Sequence, residues 1–284
     1  MDRELREEIV HINYPAIVGI LTYASSENRK LPTILLINAG LIHRVGPNRT
    51  YVKLARKLAL EGYNVYRFDY GGLGDSFMPP GQNDMSQYID NTFRILEKKL
   101  DINQFVLMGM CTGAEVAFNI ALLDNRVKGI VMINGSGLPA EKSSKLYEES
   151  SRQIKARYYK KALMEPNKWL KLIKGKSKLF NTRNIKASFR WIFRKTLRFS
   201  KKNNRFEGPI PYETLKCKKI QFLVIISEGS TVYDMVKIIC GDRYEFDHFI
   251  MANVDHTVTP VWAQNDMHSK IISWCNTTFK KITY

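Results

Sequence analysis

Over the first 138 residues, short runs in which nearly every position is apolar alternate with longer stretches in which apolar positions recur every three or four residues. The first pattern predicts strands covered on both faces, the second amphipathic helices. EEIVHI (7–12) and AIVGILTYA (16–24) predict an opening pair of strands, and TILLINAG (33–40) a third. In TYVKLARKLALEG (50–62), Tyr51, Leu54, Ala55 and Leu58 form one helical stripe that stops at Gly62, a residue suited to end a helix. Strand YNVYRFDY (63–70), helix MSQYIDNTFRILEKKL (85–100), strand NQFVLMGM (103–110), helix GAEVAFNIALL (113–123) and strand KGIVMING (128–135) continue the alternation. Strands joined by crossover helices imply a mostly parallel sheet with helices on both faces.

The alternation stops near residue 138 and resumes with KKIQFLVIIS (218–227), YEFDHFIMA (244–252) and a terminal helix over 261–281. Between them lie helical patterns with apolar positions such as Ile185, Phe189, Ile192 and Phe193. The expected organisation is therefore an α/β core made of 1–138 and 215–284, with an inserted helical cap over 139–214. Charge sharpens that division. Of a formal charge of +17, residues 141–205 carry all the excess, with 21 Lys and Arg against 4 Asp and Glu, and the rest of the chain is neutral. So uneven a distribution fits either a solvated face or a surface for an acidic partner.

Other features narrow the class. The apolar runs fall short of the ~20 residues that span a bilayer, and MDRELREEIV lacks the basic and apolar regions of a secretory signal, so a cytoplasmic protein is expected. Cys111, Cys217, Cys240 and Cys275 are too scattered for a zinc knuckle or a disulfide framework. No metal-ligand spacing or cofactor fingerprint occurs, and the basic stretch has no nucleic-acid recognition motif. Trp191 and Phe193 interleave with Arg190, Arg194 and Lys195, which makes a membrane surface the second candidate partner of the cap.

The strongest chemical signal is GMCTG (109–113), set between a strand and a helix. There the central residue of a GxSxG-type turn is presented as a nucleophile, and Cys111 occupies that place at a helix N-terminus that favours a thiolate. A base should follow late in the chain. Of the five histidines, His256 in ANVDHTVTP lies in the loop before the terminal helix, where such a base belongs, whereas His248 falls in a strand pattern and His268 in a helix. The orienting acid should follow strand 218–227, and either Glu228 or Asp234 in SEGSTVYDM can serve. The backbone N–H groups of Leu41 and Thr112 are the expected oxyanion donors, with His43 and Arg44 as substrate-facing candidates. The glycines of FDYGGLGDS (68–76) lack phosphate-loop spacing and read as turn formers.

These segments carry a resemblance. The chain resembles an α/β-hydrolase, and more narrowly it is similar to the exosortase-A-associated hydrolases, through NAGLIHRVGPNR, LARKLALEGYNVYRFDYGGLGDS, GMCTGAEVAF, LLDNRVKGIVMING, PNKWLKLIKGK and DHTVTPVWAQ. The resemblance implies an α/β-hydrolase fold, a cysteine nucleophile at Cys111, His256 as base, and a setting with acyl carrier proteins. The family's SEGD reads SEGS here, with Ser230 at the aspartate position. The expected activity is thioester or ester hydrolysis through an acyl-cysteine, with acyl transfer from the same intermediate or a non-catalytic binding module as alternatives. The cap would dock an acyl carrier protein.

Overall fold

A computed structural model describes residues 5–13, 16–25, 31–77, 85–135, 215–228 and 247–280. The chain divides into two units, Met1–Leu146 with Ile210–Tyr284, and Tyr147–Pro209. The second unit lies outside the described residues, as do Asp234 and Cys240.

Among the described residues, eight strands form one sheet in the order β1-β2-β4-β3-β5-β6-β7-β8. They are β1 (Glu7–Asn13), β2 (Ala16–Thr22), β3 (Thr33–Ile37), β4 (Val65–Asp69), β5 (Phe105–Met110), β6 (Val127–Ile133), β7 (Gln221–Ser227) and β8 (Asp247–Met251). β1 pairs antiparallel with β2, and β2 with β4; every later pairing is parallel. Among the described residues they are accompanied by the α-helices α1 (Thr50–Leu60), α2 (Met85–Leu100), α3 (Thr112–Leu123) and α4 (Val261–Cys275). None of these helices is long and apolar enough to cross a membrane.

Alternation along the parallel strands sorts the core into two layers. Leu35, Ile37, Phe105, Leu107, Ile130, Met132, Val224 and Ile226 pack with Tyr88, Ile89 and Phe93 of α2 and Ala117 and Phe118 of α3. Their neighbours Ile34, Leu36, Val106, Met108, Val131, Ile133, Leu223 and Ile225 pack with Leu54 and Leu58 of α1 and Met267 and Ile271 of α4. Period-two side chains with helices on both sides leave no strand face for water, so these strands read as unbroken apolar runs. The α1 stripe read from the sequence is buried throughout. Gly62, at φ 94°, ends that helix: its N–H donates to Ala59 O at 3.0 Å and the Tyr63 N–H to Leu58 O at 3.1 Å.

β3 lies between β4 and β5, so the chain steps to one side of β3 through α1 and to the other through α2. Connections that diverge in this way leave a crevice at the carboxyl ends of β3 and β5, where ligands of parallel sheets bind. Cys111 follows β5 directly, and the Leu41 loop follows β3.

Candidate active site

Cys111 stands in the sharp turn between β5 and α3 with φ 53° and ψ −123°, a backbone conformation that side-chain-bearing residues rarely adopt. Close packing on both sides holds it there. A Cβ at Gly109 would lie 2.2 Å from the Gly113 carbonyl oxygen, and one at Gly113 would lie 2.5 Å from the Asn38 carbonyl oxygen. Only glycine at both positions lets β5, α3 and the end of β3 approach so closely. The Cys111 N–H donates to Ile133 O at 2.8 Å, tying the turn to the end of β6. The Tyr51 hydroxyl, fully buried beneath it, accepts from the Met110 N–H at 3.2 Å and donates to Ile37 O at 3.0 Å, joining the ends of β5 and β3. Cys111 is partly exposed.

The loop after β3 faces the elbow through Gly40. Its N–H donates to Thr112 Oγ1 at 2.8 Å, and its carbonyl accepts from the Tyr70 hydroxyl at 3.0 Å. The second bond fixes the plane of the Gly40–Leu41 peptide, and in a trans peptide the Leu41 N–H points away from the carbonyl so held. The Thr112 N–H lies in the first turn of α3, where an amide has no intrahelical acceptor. Thus the two donors expected from the sequence are carried by backbone segments cross-linked to each other.

His256 lies in the loop between β8 and α4 and is partly buried. Its carbonyl accepts from Asn134 Nδ2 at 2.7 Å. The turn is also braced internally: Asp255 accepts from the Thr259 N–H at 2.7 Å and from the Thr257 and Thr259 hydroxyls at 2.6 and 2.7 Å. Burial pushes the Asp255 carboxyl up, but these bonds outweigh it and hold the group at about 2. Glu228 is exposed at the end of β7, its N–H donating to Met251 O at 2.9 Å; the alternative acid, Asp234, lies outside the described residues.

His43 is exposed. Arg44 is bound within the protein: its guanidinium pairs with Asp69 and with Asp75, and its N–H donates to Asp69 Oδ1 at 2.5 Å. Asp69 is fully buried at the end of β4, so Arg44 joins the loop after β3 to the loop after β4. The carboxylates that engage Arg44 are 25 and 31 residues away in the chain. Sequence reasoning missed Tyr51, Tyr70, Asp69 and Asn134, whose one local signal is a polar atom within or at the end of an apolar run. His248 is exposed on β8, whereas His268 is buried in α4 with Nε2 2.8 Å from Thr50 Oγ1. Among the described residues no group of three or more His, Cys, Asp or Glu side chains is placed to hold a metal ion.

The comparisons agree with this architecture. A family model described as alpha/beta hydrolase fold matches residues 32–158. The chain is similar to a proline iminopeptidase from Mycobacterium smegmatis, with a TM-score of 0.57 and 13% identity over 96% of this chain and 98% of that one. It is similar to a carboxylesterase from Nitrososphaera gargenis, with a TM-score of 0.55 and 14% identity over 95% and 99% of the two chains. An esterase from Pyrococcus furiosus gives a TM-score of 0.55 and 15% identity over 97% and 91%. None of the curated proteins compared matches the sequence. The chain has the α/β-hydrolase fold.

Proposed function

We propose that the protein is a hydrolase of thioesters or esters that acts through an acyl-Cys111 intermediate. The observation that carries this reading is the strained turn at Cys111, held open by two glycines at the carboxyl end of β5, because strain of this kind persists where a side chain must be presented. The esterase and iminopeptidase among the similar structures are consistent with acyl transfer to water on this fold.

In the proposed reaction Cys111 Sγ attacks the acyl carbonyl carbon while His256 accepts the thiol proton. The Leu41 and Thr112 N–H groups receive the charge that develops on the carbonyl oxygen. Collapse breaks the bond to the leaving thiol or alcohol, which takes its proton from His256 and departs. Water then attacks the acyl-cysteine, giving its proton to His256, and the carboxylic acid and free thiol are released. Glu228 or Asp234 would hold the His256 ring. We assign Arg44 to fastening the loop that bears Leu41, since its guanidinium already satisfies two carboxylates, and leave His43 as the substrate-facing side chain.

Acyl transfer is the second reading. A thioester at Cys111 keeps its transfer potential, so an alcohol, amine or thiol can resolve it in place of water. The resemblance to exosortase-A-associated hydrolases supports substrates on acyl carrier proteins, and the basic stretch 141–205 would attract such an acidic carrier.

Intact-protein mass spectrometry after incubation with acyl carrier protein and coenzyme A thioesters tests the scheme. The wild type should gain one acyl mass and Cys111→Ala none, and His256→Ala should slow acylation by about 10²–10⁴-fold. Turnover persisting in Cys111→Ala would sink the mechanism. A wild type that binds the thioesters without adduct or turnover would make the protein a binding module.

A further inference from the structure

We propose that Asn134 is a positioning residue, which sets the His256 turn against the elbow of Cys111; the proposal rests on the Cys111–His256 reading above. Asn134 follows β6 and is 1% exposed. Its side-chain amide makes three bonds: Oδ1 accepts from the Ser227 N–H at 2.7 Å, and Nδ2 donates to Ser227 Oγ at 2.9 Å and to His256 O at 2.7 Å. Its own N–H donates to Ile225 O at 2.9 Å. One buried amide thus joins the ends of β6 and β7 to the loop that carries the base.

The residues on either side of Asn134 meet the nucleophile. Ile133 O accepts the Cys111 N–H at 2.8 Å, and a Cβ at Gly135 would lie 3.0 Å from Cys111 O and 2.3 Å from the Ala114 side chain. Three successive residues therefore fix the backbone of Cys111 on one side and that of His256 on the other. The bond to His256 reaches its carbonyl and so acts on the backbone of the turn. Because Asp255 stiffens the turn from Asp255 to Thr259 from within, a tether at one carbonyl places the turn as a body. The φ of 50° at Asn134 aims the amide across the strand ends; asparagine tolerates that backbone and glycine shares it.

Asn134→Gly deletes the amide and keeps the backbone conformation. Asn134→Asp keeps an acceptor for the Ser227 N–H and turns an oxygen toward His256 O. Ser227→Ala strips the hydroxyl partner and leaves the His256 bond. For each variant the rate of Cys111 alkylation by iodoacetamide is measured at about pH 6 and about pH 9, together with kcat and KM for an acyl-thioester. Wild type and Ser227→Ala should share one ratio of the two rates, since reactivity at the lower pH depends on His256 drawing off the thiol proton. Asn134→Gly and Asn134→Asp should lower that ratio and kcat by about tenfold with KM little changed. If Asn134→Gly does not fold, Asn134→Asp alone carries the comparison.

The proposal is overturned if the Asn134 variants keep the wild-type ratio, or if Ser227→Ala lowers it as far as they do. His256→Ala separates the two levels. A lowered ratio in His256→Ala beside an unchanged ratio in the Asn134 variants defeats the positioning role alone. An unchanged ratio in His256→Ala defeats the Cys111–His256 reading and the positioning role with it.

Discussion

Cys111 and His256 are bound to consecutive residues of one strand end: the Cys111 N–H donates to Ile133 O at 2.8 Å, and the His256 carbonyl accepts from Asn134 Nδ2 at 2.7 Å. The two residues are 145 positions apart in the chain, and the parallel register of β5 to β8 places their loops on the same edge of the sheet.

The elbow should tolerate no side chain at its glycines. In Gly113→Ala the new methyl would meet the Asn38 and Ile37 carbonyl oxygens at 2.5 and 2.8 Å, and backbone cannot withdraw as a flexible side chain can. Urea unfolding should show a loss of about 1–3 kcal/mol. An unchanged midpoint would mean that the elbow packs otherwise.

The two bonds to Gly40 should matter to chemistry more than to substrate binding. Tyr70→Phe frees the Gly40 carbonyl and so the peptide plane that carries the Leu41 N–H, and Thr112→Val frees the Gly40 N–H, which lies in the preceding peptide and ties this loop to the elbow. Each variant should lose about tenfold in kcat with little change in KM, as expected of an interaction made only in the transition state. A rise in KM with unchanged kcat would instead make these side chains substrate contacts.

Stability should fall with acid in a window set by His268. Burial first, then the Lys57 and Lys53 charges, hold its imidazole at about 4, although Thr50 pulls the other way. Between its ordinary value of 6.5 and about 4 the unfolded chain binds a proton that the folded chain refuses, so unfolding becomes easier as pH drops through that range. The expected loss is on the order of 3 kcal/mol. Glu7 and Asp255, held at about 2, add their own losses only below the ordinary carboxylate range, which separates them from His268. Urea titrations of wild type and His268→Gln at several pH values should differ in slope between the two limits; parallel curves would remove His268 as the cause.

Carrier recognition should be salt-sensitive. If the basic stretch attracts an acidic carrier protein, raising salt should weaken carrier-bound thioesters much more than small neutral ones, since a Debye length of ~8 Å at physiological ionic strength shortens further. Charge reversal at Lys171, Lys174 and Lys178 should have the same selective effect on KM. Equal salt response for carrier-bound and free thioesters would leave the stretch as a solvated surface, and binding to anionic vesicles alone would make a membrane its partner.

The sequence by itself determined the elements and the turn at Cys111. Apolar runs and helical stripes are local consequences of burial on two strand faces or one helix face, and each of the twelve expected elements in the described residues forms within a few positions of its sequence pattern. The first glycine of GMCTG was legible for the same reason, since a Cβ at Gly109 would meet Gly113 within five residues, whereas the clash at Gly113 arises with Ile37 and Asn38 at the neighbouring strand. The tertiary structure alone decided the partners. Arg44 turns to Asp69 and Asp75, Tyr51 joins two strand ends, and Asn134 reaches a carbonyl 122 residues away, because the order of strands in the sheet brings those groups together. A polar residue at a strand end needs an acceptor once it is buried, but which acceptor lies within about 3 Å depends on which strands are neighbours, and no local pattern encodes that.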